Sequence, residues 1–230
     1  MSTLPTWMAD RWQHRADPAP GEGTVYWHMP MHEHQQVADL VRDARQRLAS
    51  FAGLHMTPLK RLHITTMVAG PASSFTNGQL DQMATTAARL LADLPPVTVT
   101  LGRVLYHPEA IVLPVSSRSD LAPVRDAAIT ATRLVTGHDE SPDQHERWIP
   151  HITICYSTAC QPAAPLIAAV GENLPRCEVQ VSALSLIIQR GPERGWDWVT
   201  AATIPFTGTN MTALNERLRP QHRCAHLTGS

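Results

Sequence analysis

The residues of this chain best suited to moving protons are His63 and His151, each followed two positions on by a threonine: Leu62-His63-Ile64-Thr65 and Pro150-His151-Ile152-Thr153. Histidine titrates near neutral pH, so it can serve as base or acid. Two of them on opposite sides of one phosphorus could deprotonate an attacking water and protonate a departing oxygen. The hydroxyls of Thr65 and Thr153 could donate to the non-bridging oxygens, where negative charge develops. Opening a cyclic phosphodiester asks for this set and for nothing else, so neither a metal nor another cofactor is expected.

The bare triplet is common. Twelve histidines give about two H-x-[S/T] matches by chance, and the chain has two more, His55-Met56-Thr57 and His226-Leu227-Thr228. Pro58 follows the first and the second falls in a polar tail, so neither is expected on a buried strand. His63 and His151 differ from these in context. Side chains alternate along a strand, so His63 and Thr65 share one face while Leu62, Ile64 and Val68 share the other. His151 and Thr153 likewise oppose Ile152 and Ile154. Each segment buries an apolar face and presents a histidine and a hydroxyl.

The elements that must position these strands recur in order. A strand over 24–29 precedes a helix marked by Val37, Leu40, Val41, Ala44, Leu48 and Phe51, with Gly53 as its stop. A strand over 62–68 then precedes a helix marked by Leu80, Met83, Ala87, Leu90, Leu91 and Leu94, and a strand follows over 97–105. The second half repeats this: a strand over 110–115, a helix through Leu121, Val124, Ala128, Ala131, Leu134 and Val135, and a strand over 148–156. A short helix through Leu166, Ile167, Val170 and Leu174 comes next, then an antiparallel pair over 178–188 and 198–206. The histidines lie 88 residues apart and their flanking elements are displaced by similar amounts. We expect one duplicated domain over 1–206, with lobe units of about 24–106 and 110–206. Residues before Trp12 read as peripheral and 207–230 as a C-terminal tail.

Composition narrows the partners. The chain has 230 residues and a formal net charge of −1, with no basic run. No global field draws it to nucleic acid, and any nucleotide contact must come from a local cleft. The four cysteines, Cys155, Cys160, Cys177 and Cys224, show no tight metal-ligand spacing. The first fifteen residues lack the apolar run of a signal peptide, and no long apolar stretch suits a membrane. The expectation is a cytoplasmic, reduced monomer with no membrane partner.

The two motifs, with Gly70 after the first and Tyr156-Ser157 after the second, resemble the paired H-x-[S/T]-hydrophobic signatures of the 2H phosphoesterase superfamily, in its bacterial 2′-5′ RNA ligase and RNA 2′,3′-cyclic phosphodiesterase branch. The resemblance spans roughly 24–206. It implies an α+β, bilobal, pseudo-twofold fold with two antiparallel sheets lining a central cleft and helices outside. It implies hydrolysis of 2′,3′-cyclic phosphates of nucleotides or RNA ends to 2′-phosphates, with His63 and His151 catalytic and Thr65 and Thr153 on the phosphate. Reversible 2′-5′ ligation is a further implied activity. Thr66 departs from the pattern, standing where an apolar residue is usual.

Other residues near the motifs are candidate substrate contacts. Arg61 adjoins the first, Trp148 and Tyr156 flank the second, and Arg190 ends a strand ahead of a hairpin loop, Gly191-Pro192-Glu193-Arg194-Gly195, read at the cleft rim. Strict alternation puts Tyr156 on the face opposite His151. His28, His32 and His34 cluster before the first helix, and a metal hydrolase built on them is a rival reading. Other rivals are a phosphodiesterase for a different cyclic nucleotide and a module that binds RNA ends or nucleotides without turnover.

Overall fold

The computed structural model describes residues 4–19, 21–116, 118–137 and 148–209. The expected tail lies outside the described residues from 210 on, as does His226-Leu227-Thr228. Among the described residues are twelve strands and four α-helices. The strands are β1 Trp7–Met8, β2 Gly23–Pro30, β3 Leu54–Met56, β4 His63–Pro71, β5 Val97–Arg103, β6 Leu105–His107, β7 Ala110–Pro114, β8 His151–Ser157, β9 Gln161–Pro162, β10 Asn173–Val181, β11 Ala183–Arg190 and β12 Trp198–Pro205. The helices are α1 Gln35–Arg47, α2 Asn77–Leu90, α3 Arg118–Thr136 and α4 Ala164–Val170.

The fold is α+β, and every strand pairing is antiparallel. One sheet half runs β12-β11-β2-β4, the other β8-β7-β6 with β3 beside β8. A single residue pair, Ile64 with Ile152, joins the halves. The halves also exchange strands. β11 and β12 come from late in the chain but extend the sheet of β2 and β4, while β3 crosses to β8 and β5 pairs with β10.

Alternation along the strands assigns the faces. In β2, Val25, Trp27 and Met29 are fully buried against the core. α2 and α3 pack together over β12 and β4, and α1 lies on β10 and β8. The Trp27 indole donates to Thr132 Oγ1 at 3.0 Å, tying α3 to the middle of β2. α2 opens on a capping box in which Thr76 and Gln79 satisfy each other's backbone N–H groups, and this fixes where the helix starts.

Several expectations need correction. Val68, expected on the core face, is 47 % exposed, because β4 carries an extra residue. Trp27 pairs with Met67 but His28 pairs with Thr65, leaving Thr66 as a bulge that flips the faces beyond it. Leu134 is 68 % exposed on α3, and Leu174 lies on β10, past the end of α4. The strand expected from Trp148 starts at His151, after Pro150, which has no N–H for the ladder. His55-Met56-Thr57 is expected off any buried strand; His55 lies on the half-buried β3 opposite Tyr156, and the buried Thr57 falls just past it. Gly53 ends no helix; its φ of 70° turns the chain into β3, and a Cβ there would meet Ala159 at 2.8 Å. The segment before Trp12 is not peripheral: Trp7–Met8 pairs with β9 and Met8 is fully buried.

Candidate active site

The junction of the two sheet halves assembles the site. Ile64 and Ile152 pair with both side chains fully buried in the core. Their neighbours therefore turn to the opposite face, and His63, Thr65, His151 and Thr153 share it. Extending the antiparallel register by one residue sets His63 across from Thr153 and Thr65 across from His151.

Each histidine is oriented by its own strand entry. His63 Nδ1 lies 2.7 Å from the carbonyl oxygen of Arg61, and His151 Nδ1 lies 2.7 Å from that of Ile149. A carbonyl only accepts, so Nδ1 carries the proton in both and Nε2 keeps its lone pair. The two rings have the same tautomer and the same anchor two residues upstream. Burial lowers the His63 pKa to about 4, against the raising effect of the Arg61 carbonyl. Burial also lowers that of His151.

The surroundings of the two differ. His63 stacks on His28, with ring centroids 3.9 Å apart and planes 18° from parallel. Trp198 meets His63 edge-on at 5.2 Å, and the Arg61 guanidinium lies over Trp198 at 4.5 Å. His28 is 5 % exposed, and burial first, then the neighbouring His63, hold its pKa well below 6.5. A cavity of about 410 Å³ opens here, lined by His28, Arg61, His63, Ser185, Trp198 and Thr200 among others. His151 opens instead on a cavity of about 370 Å³ with Arg11, Leu105, Val112, Thr153 and Tyr156. A larger one of about 670 Å³, between β5 and β10, holds neither histidine and carries no acid–base pair.

Tyr156 reaches the second cavity because β8 is bulged as β4 is. Ile111 pairs with Cys155 and Val112 with Thr153, leaving Ile154 without a partner on β7. Thr66 and Ile154 are each the third residue after their histidine, so the bulge is part of the duplicated unit. It brings Tyr156 onto the His151 face, contrary to strict alternation. Arg11 stacks over the Tyr156 ring at 4.3 Å and forms a two-point ion pair with Glu193.

That ion pair holds the β11–β12 loop, which reads in the sequence as a rim element, over the cleft. Trp196 follows the loop at φ 53°, and its ring stacks near Tyr156 at 5.9 Å and meets His63 at 6.3 Å. It stands between the two cavities, and its indole donates to His55 Nε2 at 3.1 Å. Trp148 points elsewhere: its indole donates to the Thr65 carbonyl at 3.0 Å, with Arg125 over the ring at 4.8 Å. Arg190 is exposed and pairs with Gly23, seven residues along β2 from Pro30, the partner of His63. That is roughly 23 Å along the sheet. Sequence reasoning thus missed Arg11, Trp196 and Trp198, and weighed His28 only as a metal ligand. The spacing Trp196-x-Trp198 after a Gly-Pro hairpin loop was the available signal.

Of the histidines clustered in the sequence, His28 packs on His63, and among the described residues no three His, Cys, Asp or Glu side chains converge as a metal centre would require. The three described cysteines are free thiols. Among the described residues no helix is long and apolar enough to cross a membrane.

The sequence profile of the 2′-5′ RNA ligase superfamily matches residues 31–193, which take in both motifs and the bulged strands. The chain belongs to the 2′-5′ RNA ligase superfamily. Solved structures agree on the fold across low identity. TT0787 of Thermus thermophilus superposes with a TM-score of 0.61 at 14 % identity, covering 81 % of this chain and all of its own. E. coli LigT complexed with 3′-AMP gives 0.55 at 12 % identity, over 81 % of this chain and 99 % of its own. The ns2 PDE domain of MHV gives 0.52 at 12 % identity, over 71 % and 97 %. No curated protein matches this chain by sequence. The α+β architecture that the family resemblance implies is the one these structures share.

Proposed function

We propose that the chain is a metal-independent phosphodiesterase that opens 2′,3′-cyclic phosphates of nucleotides or RNA ends to 2′-phosphates. The observation that carries the reading is the duplicated unit itself: two histidines with identical Nδ1 anchors and free Nε2 atoms, each followed two positions on by a threonine on the same face. One Nε2 takes a proton from water as the oxygen attacks phosphorus. The other histidine, protonated, gives its proton to the 3′ oxygen as the P–O3′ bond breaks. Thr65 and Thr153 donate to the non-bridging oxygens, whose charge grows in between. Run in the same direction with a 5′-hydroxyl in place of water, the same groups form a 2′-5′ bond and release the 3′-hydroxyl; in reverse, the 3′-hydroxyl attacks and expels the 5′-hydroxyl. That a structural neighbour, E. coli LigT, is seen with 3′-AMP is consistent with a nucleotide in this cleft.

The test is turnover of the purified chain on a panel of 2′,3′-cyclic nucleotides and cyclic-phosphate-ended oligonucleotides, with products separated by chromatography. We expect 2′-phosphates and a rate indifferent to chelator. Tight binding of the same ligands without turnover would make the chain a binding module instead.

A further inference from the structure

The two cavities that flank the catalytic face are built for different chemistry. On the His151 side the lining is largely apolar, and its guanidinium, Arg11, is already committed to Glu193 and Glu109. On the His63 side neither Arg61 nor Lys60 has an ion-pair partner among the described residues, while Arg61 lies over the Trp198 ring and Ser185 and Thr203 hydrogen-bond each other at 3.1 Å. Arg61 Nε is buried without a hydrogen-bond partner. His28, 5 % exposed on the wall of the cavity, has an unpartnered Nδ1. Lys60 adds a second cation at the mouth, and Ser185, Thr200 and Thr203 add hydroxyls. Helix α1 also begins there: its N-cap, His34, lines the cavity, makes no side-chain cap bond, and no acidic residue follows in the first turn. The positive end of that 13-residue helix is left without side-chain compensation. Among the described residues Glu33 is the one carboxylate on the lining, and it is 83 % exposed beside His32.

Buried polar atoms are ordinarily satisfied, so the two unpartnered nitrogens on one wall, Arg61 Nε and His28 Nδ1, point to a polar ligand in this cavity. We propose that the His63-side cavity is a second phosphate subsite, which takes a phosphate that the substrate carries in addition to its cyclic one. The inference rests on the cyclic-phosphodiesterase reading and narrows its substrate class. The substrate is a 5′-phosphorylated 2′,3′-cyclic nucleotide or an oligonucleotide end whose internucleotide phosphate reaches the cavity. The base then lies on the His151 side against Tyr156.

The experiment compares kcat/KM of the full chain on a nucleoside 2′,3′-cyclic phosphate with a free 5′-hydroxyl, the same compound with a 5′-phosphate, and a dinucleotide ending in the cyclic phosphate. The second phosphate should raise kcat/KM by about tenfold or more, the scale of a charge-assisted contact. The 5′-phosphate arm reports a terminal phosphate and the dinucleotide arm an internucleotide one. Arg61→Gln and Lys60→Gln should each shrink that ratio. Lys60 is exposed, so its variant tests the subsite even where Arg61→Gln fails to fold. Equal kcat/KM on all three substrates, or a ratio unchanged in both variants, would overturn the subsite and leave the phosphodiesterase reading standing. If no cyclic phosphate is turned over, that reading falls, and calorimetry decides the subsite: a nucleoside 2′,5′-bisphosphate should bind about tenfold tighter than the 2′-phosphate, and no difference would overturn it.

Discussion

The two half-sites share a backbone and differ in their walls. His63 and His151 have the same anchor to a carbonyl two residues upstream, the same threonine two residues on, and the same bulge after it. Backbone geometry and tautomer were duplicated. What was not duplicated is the packing: His63 stacks on His28 and Trp198 meets both rings edge-on, whereas His151 meets a largely apolar cavity. In an in-line displacement the two histidines must hold opposite protonation states, and a duplicated fold supplies that only if the copies diverge in surroundings. On the proposed mechanism we assign the base to the more deeply held His63, lowered to about 4, and the acid to His151, which burial also lowers.

The largest effects test whether the halves act as a unit. His63→Ala and His151→Ala should each lower kcat by roughly 100-fold or more. The double variant should be only modestly worse, because either loss already disables the concerted path. A base works unprotonated and an acid protonated, so the rate rises through the first pKa and falls through the second. Burial lowers both from 6.5, which moves the whole bell in kcat/KM to the acid side of that value. His63→Ala should remove the rising limb and His151→Ala the falling one. The reverse pattern would exchange the roles.

Buried His28 also adds a stability signature of its own. Folded His28 stays neutral far below the pH at which the unfolded residue, near 6.5, takes up a proton. Protons then bind the unfolded chain preferentially, so stability is full above that value and falls as pH drops below it. At pH 5 the penalty is on the order of 2 kcal/mol. His28→Phe should reduce the fall in Tm between pH 7 and 5 by about 4–8 °C. An identical pH dependence in the variant would show that the buried ring is not the source. Smaller again, Thr65→Val and Thr153→Val should each cost about tenfold in kcat, since each leaves the other hydroxyl on the phosphate.

How far the sequence could carry this follows from where its periodicities hold. Apolar spacing located the four helices and the strands around both motifs, because those elements bury a continuous stripe or face. The alternation rule placed Thr65 and Thr153 with their histidines, since both lie before the bulges. It failed one turn of the ladder later: Thr66 and Ile154 each add a residue that no local preference announces, and Val68 and Tyr156 changed faces in consequence. β3 was hidden by Pro58, which closely follows a strand only three residues long. The exchange of β11 and β12 onto β2 was invisible because partner choice is settled by long-range packing. Arg11 and Trp196 enter the site by the same route, through contacts with residues far away in the chain.

The smallest effect concerns Trp148, which reads in sequence as a substrate contact three residues before His151. The corresponding residue of the other half is Lys60, which faces the cavity of His63. Trp148 instead spans the junction, donating its indole N–H to the Thr65 carbonyl at 3.0 Å while Arg125 covers its ring. It links the segment entering β8 to the strand of the other histidine, so its contribution is to the seam between halves. Trp148→Phe keeps most of the buried ring and loses one hydrogen bond, at a cost of about 1 kcal/mol. That corresponds to a drop in Tm of about 2–4 °C for a domain of this size. Thermal unfolding and steady-state kinetics on one sample check the assignment. A KM raised about tenfold at unchanged Tm would place the indole against substrate and leave the seam to the Ile64–Ile152 pair and the exchanged strands.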